Sequence, residues 1–444
     1  VAARVDLPTP EQRKTLSMSN RRVVENYELL LDRVTTGLTK DERLALLDYT
    51  VEHVYLLVCV PETARIARNI VMAQGKGMDN EPIDDFKGLV CFRYTLEEDD
   101  MYRTFDKWDD LAATPDIESY AVGRSIVAAA CLLRAAAALK IKIRKNDEIN
   151  AMERWLRQDL VQNSCEGKDF FTRNIEPASL VLGRFRDGTF DSFIKGAPGS
   201  KLEKTMVARL KFLRALTSTV SSTKEVEMVV VDLLLRPDLT NTQLDSYLHA
   251  LELVALWMAV EKPSPLQRHK RCFDLLDAVD RGDDSGKVIE VAVSQEELSM
   301  LRSSLKTFEF GATATGKKIA SAVLERLNAY YLLAEGDSKV DMPEGEQHLE
   351  YILPKTSTGK YWKEHWPDQD ERTQCTHLLG NLALLSGKVT ARQANRSFDE
   401  KKERYEKESR PLTSILAEWT VWNKDAQTEQ QEWVLGLIDK MWSL

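Results

Sequence analysis

A chain of 444 residues is long enough for two or three domains, each burying its own core. Its 43% hydrophobic and 30% charged residues are ordinary for a globular protein, and a formal net charge of −9 excludes a wholly basic nucleic-acid coat while leaving room for a local basic patch. No apolar run reaches the ~18 residues a membrane helix needs, because Arg134, Lys140 and Lys142 interrupt the longest candidate, Ile126–Ile143.

The chain opens at Val1 rather than methionine and reads as a fragment or processed form, with any targeting signal upstream. Apolar residues at three- and four-residue spacing predict helices over Val23–Leu38, Lys40–Leu57, Ser119–Leu139, Asp147–Leu160, Ser200–Ser218, Thr242–Glu261 and Gly316–Ala334. Thr39 and the Asn241-Thr242 pair stand where helix caps are needed. Val226–Leu235 fits either a buried helix or a strand, and Lys287–Val293 alternates like a strand. Pro82, Pro177, Pro198, Pro237, Pro263, Pro265 and Pro343 mostly fall between these segments. Six scattered cysteines (Cys59, Cys91, Cys131, Cys165, Cys272 and Cys375) form no Cys-x-x-Cys pair, which fits reduced thiols in an intracellular compartment and gives no zinc signal.

The polar stretch Ala334–Gln347 reads as a domain boundary. Beyond it the pattern changes: Gln347–Leu353 and Leu379–Leu385 read as short strands, and Arg392–Lys407 as a charged helix. The fold expected is mainly α, with multi-helical segments over 1–110 and 111–335. A small ββα domain with terminal helices follows over 336–444.

Two runs in that last domain carry a chemical suggestion. His348-Leu349-Glu350-Tyr351-Ile352-Leu353-Pro354 is followed by His377-Leu378-Leu379-Gly380-Asn381-Leu382-Ala383-Leu384-Leu385, then by Asn395-Arg396-Ser397-Phe398 and Lys401-Lys402. Their order and spacing resemble the nuclease-type domain that ends the GmrSD family, modification-dependent restriction enzymes with paired DUF262 and DUF1524 domains. Upstream, Glu62–Lys87, with Arg65, Ile66, Gly77, Pro82-Ile83, Asp85 and Lys87, resembles the helical part of DUF262, so 1–110 is similar to that domain's C-terminal half. Asn26-Tyr27 and Ala320–Tyr331 are weaker echoes. The family's Asp-Gly-Gln-Gln-Arg signature is not in this chain.

The resemblance implies a His-Me finger of the HNH type. Such a frame holds one divalent cation on the scissile phosphate while a histidine deprotonates water. The family's run is Glu-His-Ile-Leu-Pro; Tyr351 stands where its histidine would be, and tyrosine, with a pKa of about 10 against about 6.5, is a poor base near neutral pH. His377 and Asn381 fit the His-x-Leu-Gly-Asn run, with Tyr351 completing a remnant catalytic set. Glu350, Thr390 and Asn395 are the remnant metal positions; Thr390 replaces a better ligand, asparagine or histidine. Lys355, Lys388, Arg392, Arg396, Lys401 and Lys402 are candidate phosphate contacts, joined by Lys360 and Arg404. Asp399, Glu400, Glu403 and Glu406 alternate with the basic residues of the last segment, which is also how a solvated helix face looks.

Two functions follow. One is an inactive nuclease-type domain acting as a nucleic-acid-binding or structural scaffold in a larger protein or ribonucleoprotein assembly, with no cofactor expected. The other is an active DNA endonuclease or nickase using Mg²⁺ or Mn²⁺, with His377, His348 or His365 as an unorthodox base. Neither involves a membrane. Gly311-Ala-Thr-Ala-Thr-Gly316-Lys317-Lys318 has the spacing of a phosphate-binding P-loop, but Lys318 replaces the magnesium-holding Ser or Thr, and a helix start accounts for the residues. Trp362, Trp366, Trp419, Trp422, Trp433 and Trp442 read as core rather than as base-stacking platforms.

Overall fold

Helix dominates the computed structural model, which describes residues 24, 28–29, 32–34, 36–53, 86–112, 148–190, 193–194, 200–334, 347–356, 359–387 and 395–444. The chain divides into two compact units, Val1–Gly183 and Arg184–Leu444. The first contains α1 (Lys40–His53), α2 (Glu98–Ala112) and α3 (Glu148–Gln162), with a π turn at Leu89–Arg93 before α2 and another at Phe171–Ile175 after α3. Phe86, Val90, Cys91, Leu156 and Phe170 close its core. Helix α4 (Glu176–Asp187) runs through the division between the units. The expected helix Ser119–Leu139, part of Val23–Leu38 and nearly all of Glu62–Lys87, where a resemblance to DUF262 is expected, lie outside the described residues.

The second unit begins with helices whose starts are written in the sequence. They are α5 (Lys201–Thr219), α6 (Lys224–Leu235), α7 (Asn241–Glu261), α8 (Pro265–Asp280), α9 (Ser285–Ala292), α10 (Gln295–Thr307) and α11 (Ala314–Ala334). Ser200, Thr240, Ser264, Asp284 and Ser294 each accept a hydrogen bond from the backbone three residues on, relieving the orphan donors of a first turn. Three of them, Thr240, Ser264 and Ser294, complete reciprocal boxes with Gln243, Gln267 and Glu297.

Two local expectations are settled here. Val226–Leu235 lies within helix α6. Lys287–Val293 is not a strand: Asp284 caps α9, and Val288 and Ala292, four residues apart, are both wholly buried, so the helical period prevails over the local alternation.

A buried ion-pair network fastens this helical layer. Glu252 on α7 accepts from Arg326 on α11 (2.6 Å), from Arg209 on α5 and from the indole of Trp442 (3.3 Å). Burial raises the Glu252 carboxyl, but Arg326 and Arg209 overcome that and hold it far below the usual carboxylate range.

Beyond α11 the described residues contain a single sheet of two antiparallel strands, β1 (Gln347–Tyr351) and β2 (Leu382–Ser386), pairing Gln347 with Ser386, Glu350 with Ala383 and Tyr351 with Leu382. Helices α12 (Lys360–His365), α13 (Gln369–Thr376), α14 (Phe398–Tyr405), α15 (Pro411–Ser414) and α16 (Lys424–Trp442) surround it. Strand periodicity sends the two faces of β2 into different cores. Leu382 and Leu384 join the helical core, whereas Ala383 and Leu385 join a second cluster with Ile352, Leu353, Trp362, Trp366 and Trp422.

The strand expected from Leu379 starts at Leu382, because Leu379–Asn381 forms a tight turn against α16. Gly380 is required there: a Cβ would fall 2.6 Å from the Gln431 Cα, and the Gly380 N–H donates to the Gln431 side chain. The charged helix expected over Arg392–Lys407 is described over Phe398–Tyr405, and Ser397 and Glu400 cap it reciprocally. Helix α15 ties the sheet to α11, since Thr413 donates to the Leu384 carbonyl (2.8 Å) and the Leu412 N–H to Asn328 (3.0 Å).

Candidate functional site

The end of β1 places Glu350 and Tyr351 on opposite faces of the strand. Glu350 points into the second cluster. Its carboxylate, 5% exposed, meets the Lys401 ammonium, 4% exposed, at 2.7 Å. That ammonium also donates to the carbonyls of Tyr351 (2.6 Å) and Ile352 (3.1 Å). Three N–H donors therefore have three acceptors, and the group is saturated. Burial lowers the Lys401 ammonium from its ordinary range, with Glu350 opposing. Phe398, Lys401 and Tyr405 are buried along α14, spaced three and four residues apart, so this lysine lies on the inner face of its helix.

Tyr351 faces the helical layer. Its hydroxyl donates to the Gly311 carbonyl at 2.6 Å, and burial pushes the phenol up to about 12. The ring is edge-on to His377, with centroids 5.9 Å apart. Gly311 has no room for a side chain, since a Cβ would come within 2.8 Å of the Tyr351 ring and hydroxyl and 2.9 Å of His377 Nδ1. The Gly311 N–H in turn donates to the His377 carbonyl (3.0 Å). His377 Nδ1 is enclosed and has no hydrogen-bond partner. Burial first, then the positive charges of Lys355 and Lys317, push the imidazole below its ordinary pKa, while Glu309 opposes.

Asn381 is wholly buried and fully engaged. Its Oδ1 accepts from the Leu353 N–H (2.8 Å) and the Trp422 indole (3.2 Å), and its amide donates to the carbonyls of Leu353 (3.1 Å) and Thr376 (2.8 Å). It grips the chain two residues past Tyr351, and so positions β1.

The other residues singled out in the sequence scatter. Lys355 is exposed, with its ammonium 4.7 Å from the Tyr351 ring centroid. Asn395, Arg396 and Lys360 are exposed and Lys402 is half-buried. The Arg396 carbonyl accepts from the Trp362 indole (3.0 Å), and Arg404 donates to the Ser386 carbonyl (3.0 Å). His348 is exposed on β1, and the His365 ring lies against Tyr361, tilted by 54° with centroids 4.4 Å apart. Lys388, Thr390 and Arg392 lie outside the described residues. Trp362, Trp366, Trp422 and Trp442 are almost wholly buried, as core residues should be.

Gly311 and Lys317, which the sequence does not connect with these residues, belong here too. The Lys317 ammonium lies 6.0 Å from the Tyr351 ring centroid. The signal for both is the glycine-lysine spacing of Gly311–Lys318. Packing explains its glycines: Gly311 sits under Tyr351, and a Cβ on Gly316 would lie 2.5 Å from the Phe310 carbonyl.

Among the described residues no three His, Cys, Asp or Glu side chains converge, and the Glu350 carboxylate is already matched by an internal ammonium. No curated protein matches this chain. Residues 299–437, from within α10 to within α16, do match a family model, that of the GmrSD restriction endonucleases, C-terminal domain, so this part of the chain is similar to that domain.

Proposed function

We propose that β1, β2 and α14 are the ββα frame of a DUF1524-like His-Me finger that no longer hydrolyses phosphodiesters. The protein serves as a nucleic-acid-facing or structural scaffold in a larger intracellular assembly. One observation carries this reading: both β1 residues expected to do chemistry are engaged by the protein itself. Glu350 is paired with Lys401, and the Tyr351 hydroxyl donates to Gly311. A phenol pushed up to about 12 and held as a donor does not accept a proton from water near neutral pH.

The alternative, a metal-dependent DNA endonuclease or nickase, has one observation in its favour. His377 is held toward its neutral form with Nδ1 unpartnered. That nitrogen is shut from solvent, which counts against water activation. Calorimetric titration with Mn²⁺ separates the two. The scaffold reading predicts no saturable site at micromolar metal. A micromolar site that Glu350→Gln abolishes would instead mean that the carboxylate leaves Lys401 for a cation, as an enzyme requires.

A further inference from the structure

Lys317 and Lys355 come from separate segments, the first turn of α11 and the loop after β1, yet their ammonium groups converge over one Tyr351 ring at 6.0 and 4.7 Å from its centroid. The two groups are near enough for the charge of Lys317 to act on the Lys355 ammonium. Among the described residues neither has a carboxylate within ion-pair distance, although most buried or half-buried cations of this unit do. Arg186, Arg209, Arg236, Arg268, Arg271 and Lys401 are all paired.

Like charges brought together without a counter-charge repel one another. Burial and then Lys317 push the Lys355 ammonium below its ordinary range. The Tyr351 hydroxyl, committed to Gly311, does not reach over to relieve them. The His377 ring closes one wall of the same recess; the Glu309 carboxylate acts on that imidazole, opposing the two lysines, without forming an ion pair among the described residues. Lys317 is half-buried and Lys355 exposed, so a ligand reaches the pair from solvent.

We propose that Lys317 and Lys355, floored by Tyr351 and walled by His377, form a pocket that holds a phosphate group without a metal ion. Two point charges at one recess match the spread negative charge of phosphate oxygens, which lysine binds as a point charge. The inference rests on the scaffold reading above and deepens it. Where a catalytic finger sets a cation against the scissile phosphate, this chain offers two ammonium groups, which attract phosphate but generate no hydroxide.

The phosphate has two possible sources, a polynucleotide backbone or a small phosphorylated molecule, and two arms distinguish them. Both use the full chain in EDTA, so that metal chemistry plays no part. In the first, fluorescence anisotropy follows 20-nucleotide single-stranded and duplex DNA. Lys317→Ala/Lys355→Ala is expected to weaken binding roughly tenfold and to flatten the dependence of log K on log salt by about 0.9 for each duplex phosphate that the variant no longer neutralises. Lys363→Ala, an exposed lysine on α12, is the control and changes neither.

In the second arm, inorganic phosphate at constant ionic strength raises the Tm of the unaltered chain but not of the double variant. An effect in the DNA arm supports the pocket with a polynucleotide as its source. An effect in the phosphate arm alone supports it with a small phosphate. If the double variant, with its own Tm unchanged in the absence of phosphate, matches the unaltered chain in both arms, the pocket is overturned. The Mn²⁺ titration reads Glu350 alone, so the scaffold reading can fail while the pocket stands, and the reverse.

Discussion

Lys401→Met is expected to destabilise the Arg184–Leu444 unit by about 3–5 kcal/mol, the usual result of removing one partner from a buried ion pair. The substitution keeps the aliphatic length but leaves the Glu350 carboxylate, 5% exposed, without its counter-charge. The carbonyls of Tyr351 and Ile352 lose their donor as well. For a unit of this size that is a fall in Tm of roughly 6–20 °C. Denaturant unfolding checks it. The companion Glu350→Met/Lys401→Met should recover much of the loss, because an apolar pair in place of a buried ion pair is often near neutral. A loss below about 1 kcal/mol for the single variant would mean that the ammonium does not hold the strand to α14.

Asn381→Ala is expected to be as severe, at about 3–5 kcal/mol, for a different reason. Four hydrogen bonds disappear at once, and the Leu353 N–H and carbonyl, the Thr376 carbonyl and the Trp422 indole are left in a site with no solvent exposure. Each orphaned buried group costs about 1–3 kcal/mol, reduced where the pocket relaxes or admits water. Asn381→Asp discriminates further. It keeps both accepted hydrogen bonds but turns the amide, which donates to two carbonyls, into a carboxylate oxygen facing them. It should destabilise strongly too. Were Asn381 a metal ligand instead, aspartate would preserve the fold and improve cation binding; thermal unfolding with and without Mn²⁺ separates these outcomes.

Helices α5, α7 and α11 and the two strands are legible in the sequence because their signals are local, whereas α2, α8, α10 and α16 are not among the helices expected from it. The cap of α7 is Thr240, which needs only the next three residues to act, and not the Asn241-Thr242 pair expected, which lies inside the first turn. Lys287–Val293 misleads for the same reason: seven residues fit either period, and what decides is the burial of Val288 and Ala292. Lys401 looks like a phosphate ligand in the sequence because its neighbours alternate in charge. The structure instead buries it with Phe398 and Tyr405, a spacing that can be seen in the sequence once the helix start at Ser397 is given. Tyr351 is legible as a departure from a family run. The partners that hold it, Gly311 forty residues upstream and His377 twenty-six downstream, meet it only through tertiary packing. Lys317 is hidden differently: its glycine context resembles a nucleotide loop, and rejecting that loop sets aside the lysine with it.

The central claim, a nuclease frame without hydrolysis, is tested most directly by incubating the unaltered chain with supercoiled plasmid DNA and with RNA in Mg²⁺ and in Mn²⁺. The account predicts that both substrates stay intact with either metal. Metal-dependent nicking or cleavage that His377→Ala or Asn381→Ala removes, with the variant shown to be folded under the assay conditions, would contradict it.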